Sequence, residues 1–302
     1  RGIDLRRCRV SATSGTTGIP LRIYLTQSDS TIMNLGWVRA FLSRGMKPWY
    51  RIGAFIGGKD VKKQKSWYEC LGIWRKREIS NWDAPQTWIQ NLRQWKPQVL
   101  IGYEMSLRIL AESVLKFEIK DISPKIIFHS SGILEDSWRR FIESALQTRI
   151  VDVYGSDEAG CTAWECGVCS GYHVSSDMVI VEILKNGKPV RPGEEGQIAI
   201  TNLHSYAMPF IRYLQGDVGR FSVKEPCCKR GFPLMERIQG REDDFIYLKN
   251  RQKISPQAFY HCIDPVPGIR RWKLLQDKLE SICVKIEPGA DFTGHTAEIV
   301  KN

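Results

Sequence analysis

Thr13-Ser14-Gly15-Thr16-Thr17-Gly18-Ile19-Pro20 sets two glycines and four hydroxyl side chains within eight positions. Glycine lets the backbone approach an anion without a Cβ in the way, and successive N–H groups in a tight turn form a concavity for phosphate oxygens. The spacing is not GxxxxGK[ST], which excludes the P-loop NTPase reading. An ordinary surface turn has the same composition, so the stretch must be weighed with its companions.

Three companions follow in order: Tyr154-Gly155-Ser156-Asp157-Glu158, Tyr213-Leu214-Gln215-Gly216-Asp217, and Arg237-Ile238-Gln239-Gly240-Arg241-Glu242-Asp243-Asp244. With the Gly/Thr-rich run they resemble the ordered core motifs of the ATP-dependent adenylating superfamily, which includes acyl-CoA synthetases, nonribosomal-peptide adenylation domains and luciferases. The Gly240-Arg241-Glu242-Asp243-Asp244 stretch and a Cys/His segment resemble the phenylacetate-CoA ligase branch and its relatives from capsular-polysaccharide clusters. The resemblance covers nearly the whole chain.

That resemblance implies adenylation of a small-molecule carboxylic acid by ATP, giving acyl-AMP and pyrophosphate, then thioester formation with CoA. Thr13, Ser14, Gly15, Thr16, Thr17 and Gly18 would close over the β- and γ-phosphates. Ser131 and Gly132 of the Ser130-Ser131-Gly132 loop would flank the adenine, together with Tyr154, Gly155 and Ser156. Asp217 would accept both ribose hydroxyls, which needs an ionised carboxylate with two acceptor oxygens. Glu158 would hold Mg²⁺ as a hard oxygen ligand, and Arg237 and Arg241 would add charge near the ribose and phosphate. Thr16, Glu158 and Arg241 are the expected catalytic residues, and Asp243 or Asp244 the expected hinge. The lysine usual soon after the loop is absent, with Arg22 a candidate for its charge, and Lys301 has no motif that marks it as the late catalytic lysine.

Nine cysteines are too sparse for a disulfide scaffold, and those at 161, 166, 169, 227 and 228 cluster, a pattern that favours metal. Cys166, Cys169 and His173 have C-x-x-C-x-x-x-H spacing, and with Cys227 or Cys228 could complete a tetrahedral structural zinc site. The branch usually carries a later C-x-C; here Pro226 takes its first position and Cys227 is adjacent, which leaves the fourth ligand open. Reduced buried cysteines are the competing account.

The alternation of short β-rich runs (50–56, 98–103, 126–129, 150–154) with amphipathic stretches (87–95, 107–116, 137–146) predicts βα units. The fold class is α/β: a parallel sheet flanked by helices, with ligands at the carboxyl ends of the strands. From 178 the texture becomes strands at 178–184, 196–202 and 210–213, with a hairpin turn at Asn186-Gly187. Residues 1–176 read as the nucleotide-binding core, 177–241 as a β-rich subdomain of the same large domain, and 242–302 as a small α+β lid with a helical stretch near 257–262. The resemblance implies truncation at both ends.

The 302 residues carry 44 Lys+Arg against 33 Asp+Glu, a formal charge of +11 that suits polyanions such as ATP, pyrophosphate and CoA. The basic residues are dispersed and show no RNA-binding fingerprint, so nucleic acid is not expected as a partner. No apolar run reaches the length of a membrane span and no signal-type region follows the basic start, so a cytoplasmic protein is expected. The rival functional class is a non-catalytic, zinc-stabilised binding protein of this fold with an anionic partner. The phosphate-type loop, Glu158 and Asp217 argue against it.

Overall fold

Strands and helices alternate through the first half of the chain, as the sequence periodicity predicts. The computed structural model describes residues 3–12, 21–57, 67–242, 245–250, 252–254, 259, 263, 266, 268–289 and 292–293. The Thr13 to Gly18 run, Asp243, Asp244 and most of 257–262 lie outside the described residues. The chain divides into two units, Arg1–Gln215 with Gly219–Arg237, and Gly216–Val218 with Ile238–Asn302.

The first unit opens with an antiparallel pair, β1 (Arg9–Ala12) and β2 (Arg22–Leu25), and then α1 (Gln27–Ser43). A reciprocal cap starts α1: the Thr26 N–H donates to Asp29 Oδ2 at 2.9 Å and the Asp29 N–H to Thr26 Oγ1 at 3.1 Å. Burial would raise the Asp29 pKa, but these bonds and the N–H groups of Ala207 and Tyr206 outweigh it and hold it below the ordinary value. Asp29 therefore also ties α1 to the 206–207 loop.

Five parallel strands form the centre: β3 (Ile52–Ile56), β4 (Lys76–Ser80), β5 (Val99–Gly102), β6 (Ile126–Ser130) and β7 (Ile150–Ser156), in spatial order β4-β3-β5-β6-β7. The short α2 (Trp67–Cys70) and the longer α3 (Pro85–Trp95), α4 (Glu104–Lys116) and α5 (Asp136–Leu146) connect them. Beyond β7 the sheet continues antiparallel through β8 (Gly160–Glu165) and β9 (Tyr172–Val174). Strand alternation divides the core between the two faces. Phe55, Leu100, Ile127 and Ile150 pack with Leu92, Leu107, Leu110, Ile142 and Leu146 of α3, α4 and α5. Ala54, Val99, Phe128, Val151 and Val153 pack with Ala40 and Phe41 of α1.

The β-rich part has β10 (Val179–Lys185), β11 (Lys188–Pro189) and β12 (Gly196–Asn202), with β10 antiparallel to both others. Asn186 (φ 53°) and Gly187 (φ 75°) are both left-handed, the geometry a two-residue hairpin turn needs. The strand expected at 210–213 instead begins at its far end, as β13 (Tyr213–Gly219), so the Gln215-Gly216-Asp217 motif is on a strand. β14 (Leu234–Met235) joins β9 at the edge of the large sheet. In the second unit, β15 (Gly240–Arg241) pairs with β13 at Asp217↔Arg241 and Val218↔Gly240. Two hairpins follow, β16 (Ile246–Tyr247) with β17 (Lys253–Ile254), and β18 (Ile269–Lys278) with β19 (Ser281–Pro288). No helix among the described residues is long and apolar enough to cross a membrane.

Candidate functional site

Two adjacent parallel strands, β6 and β7, deliver the expected adenine residues to one edge of the sheet. After β6 the chain turns through Ser131 (φ 72°) and Gly132 (φ 93°), both left-handed. Serine in that region is strained, and such strain persists where the surroundings over-determine the loop. β7 runs on through Tyr154, Gly155 and Ser156, with a register shift against β8 between Tyr154 and Gly155. A bulge of this kind re-aims side chains at the end of a strand. The hairpin from β7 to β8 is too tight for a side chain at Gly155. A Cβ there would sit on the Gly160 carbonyl oxygen and 2.8 and 2.9 Å from Trp37 Cζ2 and Cη2.

Gln215 locks this motif, and the sequence reading missed it. The Tyr154 hydroxyl donates to Gln215 Oε1 at 3.1 Å, and the Gln215 amide donates to Ser156 Oγ. Gln215 is itself buried. The Ser156 hydroxyl also accepts from the Ala159 N–H at 3.2 Å, which holds the turn containing Glu158. Glu158 is buried, and its backbone carbonyl accepts from Asn202 Nδ2 at 2.8 Å. No described residue makes a hydrogen bond or ion pair with its carboxylate.

Beneath the loops lies a buried polar network. His129 Nδ1 is 2.7 Å from Asp152 Oδ1, its neighbour across the β6–β7 register, and the Tyr172 hydroxyl donates to Asp152 Oδ2 at 2.6 Å. Burial would raise the Asp152 pKa, but the His129 hydrogen bond and charge, the Tyr172 hydroxyl and Arg139 outweigh it and hold it below the ordinary value. Burial and the Asp152 charge push Tyr172 well above the ordinary phenol value. Arg237, expected beside the nucleotide, ion-pairs with Asp136 at 2.6 Å, at the start of α5.

In the second unit, Asp217 and Arg241 stand opposite each other on β13 and β15. Gly216 (φ 83°) makes room for the guanidinium: a Cβ there would lie 3.2 Å from Arg241 Nη2. The strand register therefore brings together the carboxylate and the arginine that the sequence reading assigned to the ribose and phosphate.

The Cys/His segment gathers as its spacing suggested, with one correction. Cys169 and Cys227 are joined as a disulfide, so these two candidate ligands are engaged with each other. The ligand atoms of Cys166, His173 and Cys228 lie within 4.8 Å of one another, with His173 Nε2 at 3.1 Å from Cys228 Sγ. The N–H groups of Val168 and Cys169 point at Cys166 Sγ, at 3.4 and 3.2 Å. Burial would raise the Cys166 thiol, but these N–H groups, Cys228 and Arg230 outweigh it and favour thiolate. Burial pushes His173 down, towards the neutral imidazole. Thiolate and neutral imidazole are the forms that bind zinc. Cys161 differs: burial pushes its thiol up to about 12, which leaves it an inert core residue.

Comparison with known proteins gives a consistent picture. No family model matches the chain. It is 25% identical over 257 residues to phenylacetate-coenzyme A ligase of Thermus thermophilus and 27% identical over 257 residues to that of Escherichia coli. Each match covers 80% of this chain and 56% of the relative, so the chain spans about half the length of these proteins. Among solved structures, 2-hydroxyisobutyryl-CoA ligase in complex with 2-HIB-AMP aligns at TM-score 0.77 and 19% identity, covering 99% of this chain and 66% of that one. The anthranilate CoA ligase AuaEII in complex with anthranoyl-AMP aligns at TM-score 0.71 and 14% identity, covering 97% of this chain and 59% of that one. The chain is thus similar in sequence to phenylacetate-coenzyme A ligases and shares the fold of these solved acyl-CoA ligases.

Proposed function

We propose that this chain is part of an adenylate-forming enzyme of the phenylacetate-CoA ligase-like branch, that it binds ATP and a small carboxylic acid and joins them as acyl-AMP, and that the whole protein passes the acyl group to the thiol of CoA. The observation that carries the reading is the Tyr154–Gln215–Ser156 lock beside the strained Ser131-Gly132 loop, at the carboxyl ends of two adjacent parallel strands. The relatives named as CoA ligases and the neighbours that hold acyl-AMP support it.

In the first half-reaction an oxygen of the acid attacks the α-phosphorus, the new P–O bond forms as the bond to the β-phosphate breaks, and pyrophosphate leaves. The chain's part is positioning and charge. Tyr154 and the Ser131-Gly132 loop flank the adenine, Asp217 accepts the ribose hydroxyls, and Arg241 offsets charge on the phosphate. Thr13 to Gly18 take the departing pyrophosphate. Glu158 would hold Mg²⁺, which neutralises phosphate charge when bound.

Cys166, His173 and Cys228 would hold a structural zinc, with Cys169 as the fourth ligand once the Cys169–Cys227 bond is reduced. The backbone N–H groups aimed at Cys166 Sγ support this, since they stabilise a bound thiolate.

Glu158→Gln keeps the shape of the side chain and removes its charge. It should abolish Mg²⁺-dependent ATP–pyrophosphate exchange in the whole protein and leave ATP bound. Exchange within a few-fold of the parent would show that the cation is held elsewhere.

A further inference from the structure

A cavity of ≈ 400 Å³ opens at the carboxyl ends of β6 and β7. One wall is a single stripe of α1, where Ser30, Met33, Asn34 and Trp37 recur at three- and four-residue spacing. The stripe is half apolar and half polar, and its two halves do different work.

The apolar half closes the cavity. The Trp37 indole lies against Gly155, within 2.9 Å of where a Cβ would be, and the Met33 side chain lies against Gly160, 3.3 Å from the corresponding point. Behind Trp37, a cluster containing Phe41, Phe128, Val151 and Val153 backs the ring. A ring supported in this way is held in place and sets the wall at that end of the cavity.

The polar half presents donors. Arg9 reaches across from β1, with Nη1 3.4 Å from Ser30 Oγ. Among the described residues Arg9 has no acidic partner and the Asn34 amide has no hydrogen-bond partner. Arg9 offers five N–H donors and no acceptor, and Asn34 two donors and one carbonyl. Arg9 and Asn34 are exposed where the cavity opens, so a ligand meets them in competition with water and gains most where it offers them charged or strong acceptors.

We infer, granted the adenylation reading above, that the acid is short and carries hydrogen-bond acceptors at its far end, as a hydroxy acid or a dicarboxylic acid does. Arg9 and Asn34 hold that end, and Trp37 excludes the ring of an aryl acid. The chain thus differs in acid choice from the phenylacetate ligases it resembles.

Calorimetric titration tests this without depending on turnover. Malonate, 3-hydroxybutyrate and phenylacetate are titrated into the whole protein saturated with α,β-methylene-ATP, and AMP affinity is measured separately. Malonate or 3-hydroxybutyrate should bind about tenfold or more tighter than phenylacetate. Asn34→Leu and Arg9→Gln should each weaken the preferred acid by about tenfold, with AMP affinity held within about twofold. Trp37→Ala should tighten phenylacetate by about tenfold, and Trp37→Phe, which keeps a ring for the core, by less. The inference is overturned if phenylacetate binds tightest to the parent, if none of the acids binds, or if the Arg9 and Asn34 variants weaken AMP as much as the acid. A parent that fails to bind AMP overturns the adenylation reading as well, whereas AMP binding with a preference for phenylacetate overturns the acid assignment alone.

Discussion

Replacing Gly155 by alanine should damage fold and site together. The added methyl would lie on the Gly160 carbonyl oxygen and 2.8 Å from Trp37 Cζ2. Carbon atoms do not approach so closely, so either the β7–β8 hairpin opens or the indole moves. Overpacking costs about 1–3 kcal/mol, and the upper end applies because one obstacle is backbone and the other is backed by the core. A unit of this size loses roughly 2–4 °C per kcal/mol, so melting should fall by about 6–12 °C. Differential scanning calorimetry reads this directly. Acid binding should fall too, since both Gly155 and Trp37 line the cavity. Adding Trp37→Ala to Gly155→Ala relieves only the ring contact, so the double variant should stay less stable than Trp37→Ala alone. An unchanged melting temperature in Gly155→Ala would refute the argument, and equal stability of the double variant and Trp37→Ala would show that the Gly160 carbonyl is no obstacle.

Gln215→Leu removes the acceptor for Tyr154 and the donor to Ser156, and should weaken AMP binding by about 1–3 kcal/mol in a folded protein; unaltered affinity would reduce Gln215 to a packing residue. Asp152 is held below its ordinary pKa on folding, so its stabilisation is complete above that ordinary value of 3.8 and is lost as pH falls through the folded value. Urea midpoints measured from pH 7 down to pH 3 should therefore fall less steeply for Asp152→Asn than for the parent, and parallel curves would contradict the assignment. Protein prepared under reducing conditions with ample zinc should contain close to one zinc per chain, and chelation should lower its melting temperature; elemental analysis that finds none would favour the disulfide with three free ligands as the resting state.

The strands that build the site were legible in the sequence because burial on both faces leaves a plain signature: 126–129 and 150–154 are continuous β-prone runs, and the structure extends them as β6 and β7. Helix α1 left no such trace. It buries Asp29 and Ser30 along with Met33, Ala40 and Phe41, so its buried positions form no one-sided apolar stripe. The polar members of that set meet loop N–H groups and an arginine across the fold, partners that no local pattern reveals. Gln215 is the same case: its neighbours Tyr154 and Ser156 lie 61 and 59 residues away, and only the juxtaposition of β13 with β7 gives a common amide its role. The cysteines sit between these extremes. The C-x-x-C turn could be read locally because its own N–H groups point at Cys166, whereas the choice between Cys227 and Cys228 depends on how a segment some sixty positions away meets the turn. Chemistry set by one strand or one turn is therefore readable from the chain alone, and chemistry shared between distant segments becomes readable only once their register is known.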